Sequence, residues 1–198
     1  MAGREATLLS PGQRLAWLRL IRTENVGPQT FRQLVNREGS AEAAIAALPA
    51  LTRRLGTSPR ITSIAEAEDE IAALEKLGGR RVAAPEPGYP PLLRFISGAP
   101  PVLSMMGGIP NAERTVAIVG ARNASTAGQK LTRMLAAELG EAGYAVVSGL
   151  ARGIDAAAHK ASLATGTIAV LAGGLDHIYP EENIPLADEI LAAGGALL

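Results

Sequence analysis

The chain has 198 residues, 47% apolar and 19% charged, the balance of a folded protein with one good core and a small second domain and not that of a disordered one. With no cysteine it has neither a disulfide framework nor thiolate metal sites; its start, MAGREATLLSPGQ, lacks the apolar core of a signal peptide, and no apolar run reaches the roughly 18 residues of a membrane helix. A soluble, cytoplasmic protein with no membrane segment is expected, with a net charge of zero that hides nine arginines against four glutamates in residues 1–60.

Residues 10 to 48 read as short helices. Ser10 is an N-cap with Pro11 in the first helical position, and Leu15, Leu18 and Ile21 form an apolar stripe at helical spacing. A second helix starts near Pro28 with Phe31, Leu34 and Val35 inward. Between them Asn25-Val26-Gly27-Pro28 is a tight turn, with Asn25 and Gly27 suited to positive φ. Another short helix follows Ser40, and the capping box Ser63-Ile64-Ala65-Glu66 opens one that runs to about Leu77 and stops at Gly78-Gly79. Residues 80–114 hold prolines at 85, 87, 90, 91, 100, 101 and 110, the pattern of a rigid connector with short extended pieces at 81–83 and 102–105. It is too apolar for a loose linker and is expected to pack on the next domain.

From residue 115 the pattern becomes regular. Strands are predicted at 116–119, 145–147 and 168–171, each followed by a helix, at about 128–142, 154–164 and 186–192. Leu131, Met134, Leu135 and Leu139 set the period of the first of these helices. A fourth strand begins at Ala196, so the sheet is expected to be incomplete at the C-terminus. Apolar strands alternating with helices predict an α/β fold, a Rossmann-like parallel sheet covered on both faces. The organisation expected is therefore a helical domain over 1–79, the connector over 80–114 and the Rossmann-like domain over 115–198.

Three strand-to-helix loops remain, GARNASTAG (120–128), SGLARG (148–153) and AGGLDHIYPEENIP (172–185), all predicted at the carboxyl edge of the sheet. The first two each combine glycine, a hydroxyl residue, an arginine and a helix N-terminus, which makes them anion-binding corners. Arg122 and Arg152 would add charge-assisted bonds to the anion. Sixteen of the nineteen cations are arginine, which suits bidentate phosphate contacts and follows equally from GC-rich coding. A dinucleotide fingerprint is not met, because Arg122 and Ser125 stand where its second and third glycines are required and Ser148 stands where an acidic residue would take a ribose. Asp155 and His159, four apart on one helix face, could form an acid–base pair or metal ligands, but a dipole-stabilising Asp155 and a packed His159 account for them better. No catalytic group, metal or cofactor is expected.

The stretches VAIVGARNASTAG, VVSGLARGIDAAAH and TIAVLAGGLDHIYPEEN, with the upstream GYPPLL and PPVL, closely resemble the DNA-processing protein A family (DprA/Smf) from about residue 10 onward. The resemblance implies a small all-α domain of sterile-alpha-motif or helix-hairpin-helix type ahead of the Rossmann-like one. It also implies sequence-independent single-stranded DNA binding that protects incoming DNA and helps load the RecA recombinase in natural transformation, by a homodimer. Carried over by residue, the family's DNA pocket maps to Gly120, Arg122 and Ser125, to Ser148, Gly149, Arg152, Gly153 and Asp155, and to Gly173 and Gly174. Where the family often has an aromatic residue in the first loop this chain has Ala127, so base stacking must come from elsewhere; Tyr179 is the single aromatic residue of the three loops. The Asn25–Pro28 turn resembles a helix-hairpin-helix that offers amides to DNA, and a compact helical turn explains it equally well. The alternative is a nucleotide-processing enzyme related to the lysine-decarboxylase-like phosphoribohydrolases, but the proline, third glycine and threonine of their P-G-G-x-G-T loop are missing from residues 172–177.

Overall fold

The computed structural model describes residues 7–54 and 59–198. Residues 1–6, part of the stretch read against a signal peptide, lie outside the described residues. By contacts the chain divides into two compact units, Met1–Lys76 with Arg81–Leu103, and Leu77–Arg80 with Ser104–Leu198.

Among the described residues the first unit holds the α-helices α1 (Pro11–Arg22), α2 (Pro28–Glu38), α3 (Ala41–Arg54) and α4 (Ile64–Lys76). Local chemistry accounts for their starts. Ser10 Oγ accepts from the Gln13 amide while the Gln13 side chain accepts from the Ser10 amide, a reciprocal cap; Ser63 and Glu66 do the same for α4. Asn25 takes the expected positive φ of 64°, whereas Gly27 does not: at φ −85° it is extended, because Pro28 directly after it favours that region. Leu18, Phe31 and Leu34 are buried as the periodicity requires, but on α1 it is Ala16 and Leu20 that join the core cluster with Phe31 and Leu34, with Ile21 packed at its border. Trp17 meets Phe31 edge-on at 4.9 Å between centroids. The Pro-rich segment is anchored within this unit by Glu86, a buried carboxylate that accepts from the Ala83 and Leu9 amides and from Arg14 at 2.6 Å. Burial alone would raise the Glu86 pKa; the Arg14 guanidinium and the two amides outweigh it and hold the carboxyl below the usual range.

The strands are β1 (Arg80–Ala83), β2 (Val102–Gly107), β3 (Thr115–Ala117), β4 (Ala145–Ser148), β5 (Thr167–Ala169) and β6 (Ala196–Leu197), in the sheet order β1-β2-β6-β5-β4-β3. From β3 to β6 neighbours run parallel, with Val116 opposite Val146, Val147 opposite Ile168 and Ile168 opposite Ala196. The sheet as a whole is mixed, because Met106 and Gly107 of β2 pair antiparallel with Leu197 and Ala196. Strand β2 precedes the βα repeat, so no crossover helix dictates its direction.

Helices α5 (Thr126–Glu141), α6 (Ile154–Ser162) and α7 (Ile184–Ala192) connect strands that are adjacent in both sequence and space. Right-handed crossovers in that order place all three on one face, and α6 touches both α5 and α7. Alternation along β4 serves two clusters: Val146 packs with Ala136, Ala158 and Ile118, while Ala145 and Val147 pack with Ile168, Ala196 and Ile109. The stripe that defined α5 faces the other way from the expectation. Leu131, Met134 and Leu135 are exposed, and Thr132, Ala136 and Gly140 are buried. The reason is the close approach of α5 to α6 and the turn after it: a Cβ at Gly140 would overlap the Thr165 side chain, so only small residues fit that face.

Candidate functional site

Three loops leave the carboxyl ends of β3, β4 and β5, and all three meet. Gly153, in the second loop, has φ +74° and ψ −116°, and a Cβ there would collide with the carbonyls of Ala121 and Arg122 in the first loop. A Cβ at Gly120 would come within 2.7 Å of the Ile154 side chain, so the other side of this contact also favours glycine. The Ile154 amide donates to the Ala121 carbonyl at 3.2 Å, and Ser148 Oγ donates to the Ile118 carbonyl at 2.6 Å. The third loop is tied in by Asn183, a buried amide that donates to the carbonyl of Leu150 at 2.8 Å. Leu150 is itself fully buried and held at φ +58°, a conformation uncommon for a non-glycine residue.

A groove of about 320 Å³ opens over this junction, lined from the first loop by Arg122 and Asn123, from the second by Gly149, Ala151 and Arg152, and from the third by Leu171, Ala172, Gly173, His177, Tyr179 and Pro180. Four of the ten expected site residues thus face one space: Arg122, Gly149, Arg152 and Gly173. The other six lie around or beneath it. Ser125 caps α5 by accepting from the Gly128 amide at 3.1 Å. Ser148 and Asp155 are buried, with Asp155 accepting from the Gly149 amide at 3.1 Å. Gly120 and Gly153 form the contact between the first and second loops, and Gly174 turns the third loop, its carbonyl accepting from the His177 amide at 3.1 Å.

These bonds alter the electrostatic reading of the corners. The amides of Gly128, Gly149 and Ile154 are spent on Ser125, Asp155 and Ala121, so the positive character of the groove rests chiefly on its two guanidiniums. Arg152 is held bidentately by Glu182, Nη2 to Oε2 at 2.8 Å and Nε to Oε1 at 2.9 Å, with both side chains exposed. Arg122 is exposed, and no carboxylate lies within ion-pair distance of it among the described residues.

Sequence reasoning leaves Tyr179 undecided between core and stacking; it is 65% exposed and on the groove. Asn183 and Leu150 escape that reasoning. The signal for Asn183 is its place at the end of the PEEN run; Leu150 gives none beyond standing beside Gly149.

His159 is fully buried beneath the site. Its Nδ1 lies 2.7 Å from Thr167 Oγ1, which donates to the Val146 carbonyl at 2.9 Å. Nε2 is buried without a hydrogen-bond partner among the described residues. Burial pushes the His159 pKa down to about 4, against the opposing pull of Asp155 and the Ser148 backbone. An unfolded histidine titrates near 6.5, so the unfolded chain takes up a proton that the folded one refuses, and stability present above pH 6.5 is lost as the pH falls towards 4. Urea melts between pH 7 and 4 are expected to show a loss of about 3 kcal/mol from this residue, and His159→Gln should flatten that segment of the profile. The described residues contain no group of three or more His, Cys, Asp or Glu placed to hold a metal ion.

A family model described as DNA recombination-mediator protein A matches residues 80–198, and one described as a DprA-like N-terminal HHH domain matches residues 11–73. The chain belongs to the DNA recombination-mediator protein A (DprA/Smf) family. Protein Smf of Synechocystis is 33% identical over 201 residues, covering 94% of this chain and 50% of that protein. DNA processing protein DprA of Bacillus subtilis is 40% identical over 124 residues, covering 61% of this chain and 42% of its own length. The chain thus spans about half the length of these DprA/Smf relatives. Among solved structures, DprA from Streptococcus pneumoniae superposes with a TM-score of 0.53 at 33% identity, covering 68% of this chain and 49% of that one. DNA processing protein A from Helicobacter pylori, whose structure was described for its single-stranded DNA binding mode, gives 0.51 at 27% identity over 60% of this chain and 54% of that one. The DprA fold expected from the loop motifs is the one observed, a helical HHH domain ahead of a mostly parallel six-stranded α/β sheet. No helix among the described residues is long and apolar enough to cross a membrane.

Proposed function

We propose that this chain binds single-stranded DNA, independent of sequence, along the groove at the carboxyl edge of its sheet, and that it does so as a non-catalytic recombination mediator. The observation that carries the reading is the convergence of Arg122 and Arg152, from two different loops, with the exposed ring of Tyr179 in one groove. Two cations and an aromatic face suit the phosphates and an unstacked base of a single strand. The Helicobacter relative's single-stranded DNA binding supports the ligand class. Gly120, Gly153, Ser125, Ser148, Asp155 and Gly174 then act by holding the loops that present the cations, and Gly149 and Gly173 let the strand approach the backbone. Protection of incoming DNA, delivery to RecA and action as a homodimer in the cytoplasm belong to the same proposal. Anisotropy titration of a labelled dT oligomer with the wild type, Arg122→Ala, Arg152→Ala and the pair tests it.

The Arg152–Glu182 pair adds a consequence. A phosphate must displace or share the Glu182 carboxylate to reach Arg152. Exposed pairs of this kind are worth under about 1 kcal/mol, so Glu182→Gln is expected to tighten dT binding about two- to fivefold. The same titration at low salt checks this, and a weakened affinity would count against Arg152 receiving the strand.

A further inference from the structure

Six aromatic residues occur in the chain, and two of the described ones are strongly exposed, Tyr179 at 65% and Phe95 at 84%. Tyr179 shares its groove with two arginines. Phe95 does the same in the helical unit, where a larger groove of about 830 Å³ is lined by Trp17, Arg32, Asn36, Arg94 and Phe95. A phenylalanine so exposed gains nothing for the core, and its place at the end of the one-turn helix Leu92–Phe95 holds it up on a proline-stiffened rim.

The two arginines are positioned but not neutralised. Arg32 donates to the carbonyls of Ser97 at 3.1 Å and Ile96 at 3.2 Å, and Arg94 donates to the Glu86 carbonyl at 2.6 Å. Neither meets a carboxylate within ion-pair distance among the described residues. Both lie near the buried Tyr89 hydroxyl, whose pKa burial pushes up to about 12 while Arg32 and Arg94 pull it the other way. Arg94 lies over the Tyr89 ring, 5.9 Å from its centroid, and Arg32, Arg94, Phe95 and Asn36 all line the one groove.

We infer that this groove is a second contact for single-stranded nucleic acid, with a base stacked on Phe95 and the neighbouring phosphates on Arg32 and Arg94. An aromatic face flanked by two unneutralised cations is complementary to a base and its phosphates, and stacking tolerates any base. The inference rests on the sheet-edge reading for the class of polymer, and on its own residues for the site.

Trp17 is the single tryptophan of the chain and lines this groove, so its emission reports on this site. Addition of a dT oligomer to the wild type should quench Trp17 saturably. Phe95→Ala should raise the half-saturation concentration about tenfold, the loss of one stacked base, with an unchanged melting temperature because the ring is exposed. Arg32→Gln with Arg94→Gln should weaken quenching and reduce its salt dependence. The Arg122→Ala, Arg152→Ala pair should lower anisotropy-detected affinity yet keep the Trp17 response at higher oligomer concentration. Anisotropy-detected binding with flat Trp17 emission would overturn this inference and leave the sheet-edge reading standing. Quenching that survives Phe95→Ala unchanged, or that polyglutamate or an acidic aromatic peptide reproduces equally, would also overturn it. Quenching lost in Phe95→Ala, alongside affinity indifferent to Arg122 and Arg152, would support it and remove the sheet-edge reading instead.

Discussion

Gly153→Val is expected to lower the unfolding free energy by about 3 kcal/mol or more and to abolish detectable dT binding. The backbone there, at φ +74° and ψ −116°, is one that residues with a Cβ do not adopt without strain, and the added carbon would overlap the Ala121 and Arg122 carbonyls. Relief requires the first and second loops to separate. Separation breaks the Ile154-to-Ala121 hydrogen bond and removes Arg122 from the side of Arg152. Urea melts and an oligomer titration of the same preparation check both halves of the expectation. Gly12→Ala provides the contrast: that glycine lies inside α1 with nothing within 4 Å of an added Cβ, so the substitution should be neutral or stabilise slightly.

Removing both groove cations, Arg122→Ala with Arg152→Ala, should weaken dT binding by at least about a hundredfold at low salt, from two charge-assisted contacts of roughly 1.5–3 kcal/mol each. Stability should hardly change, since Arg122 is exposed and Arg152 loses only the exposed pair with Glu182. The single variants decide whether the two cations grip one phosphate or two. Contact with a shared phosphate makes the losses non-additive, while contacts to separate phosphates leave them close to additive.

The parts of this molecule legible in its sequence are those set by neighbours along the chain. Ser10 with Pro11, and Ser63 with Glu66, announce helix starts because a cap is satisfied within three residues. Apolar runs such as Ala145–Val147 announce buried strands, and their alternation with helices announces a parallel sheet, which holds for β3 to β6 and not for the antiparallel β2. Direction in space is not legible in the same way. The large apolar residues of α5 mark its period correctly, but its inward face is chosen by how closely α6 and Thr165 approach, and that favours Thr132, Ala136 and Gly140. The two arginines can be read as an anion site because each sits beside glycines in a loop. What the sequence does not convey is that the nearby amides are already used. Ser125, Asp155 and Ala121 consume them, and one of these bonds, from Ile154 to Ala121, depends on three-dimensional contact between separate loops. Asn183 escapes notice for the same reason: its partner, the Leu150 carbonyl, is 33 residues away.

The central claim, that Arg122 and Arg152 hold the phosphates of a single strand, is tested most directly by the salt dependence of dT binding. The double variant should show a log–log slope shallower than the wild type by about 1.4, or 0.7 for each phosphate contact released. An unchanged slope and affinity in the double variant would contradict the claim.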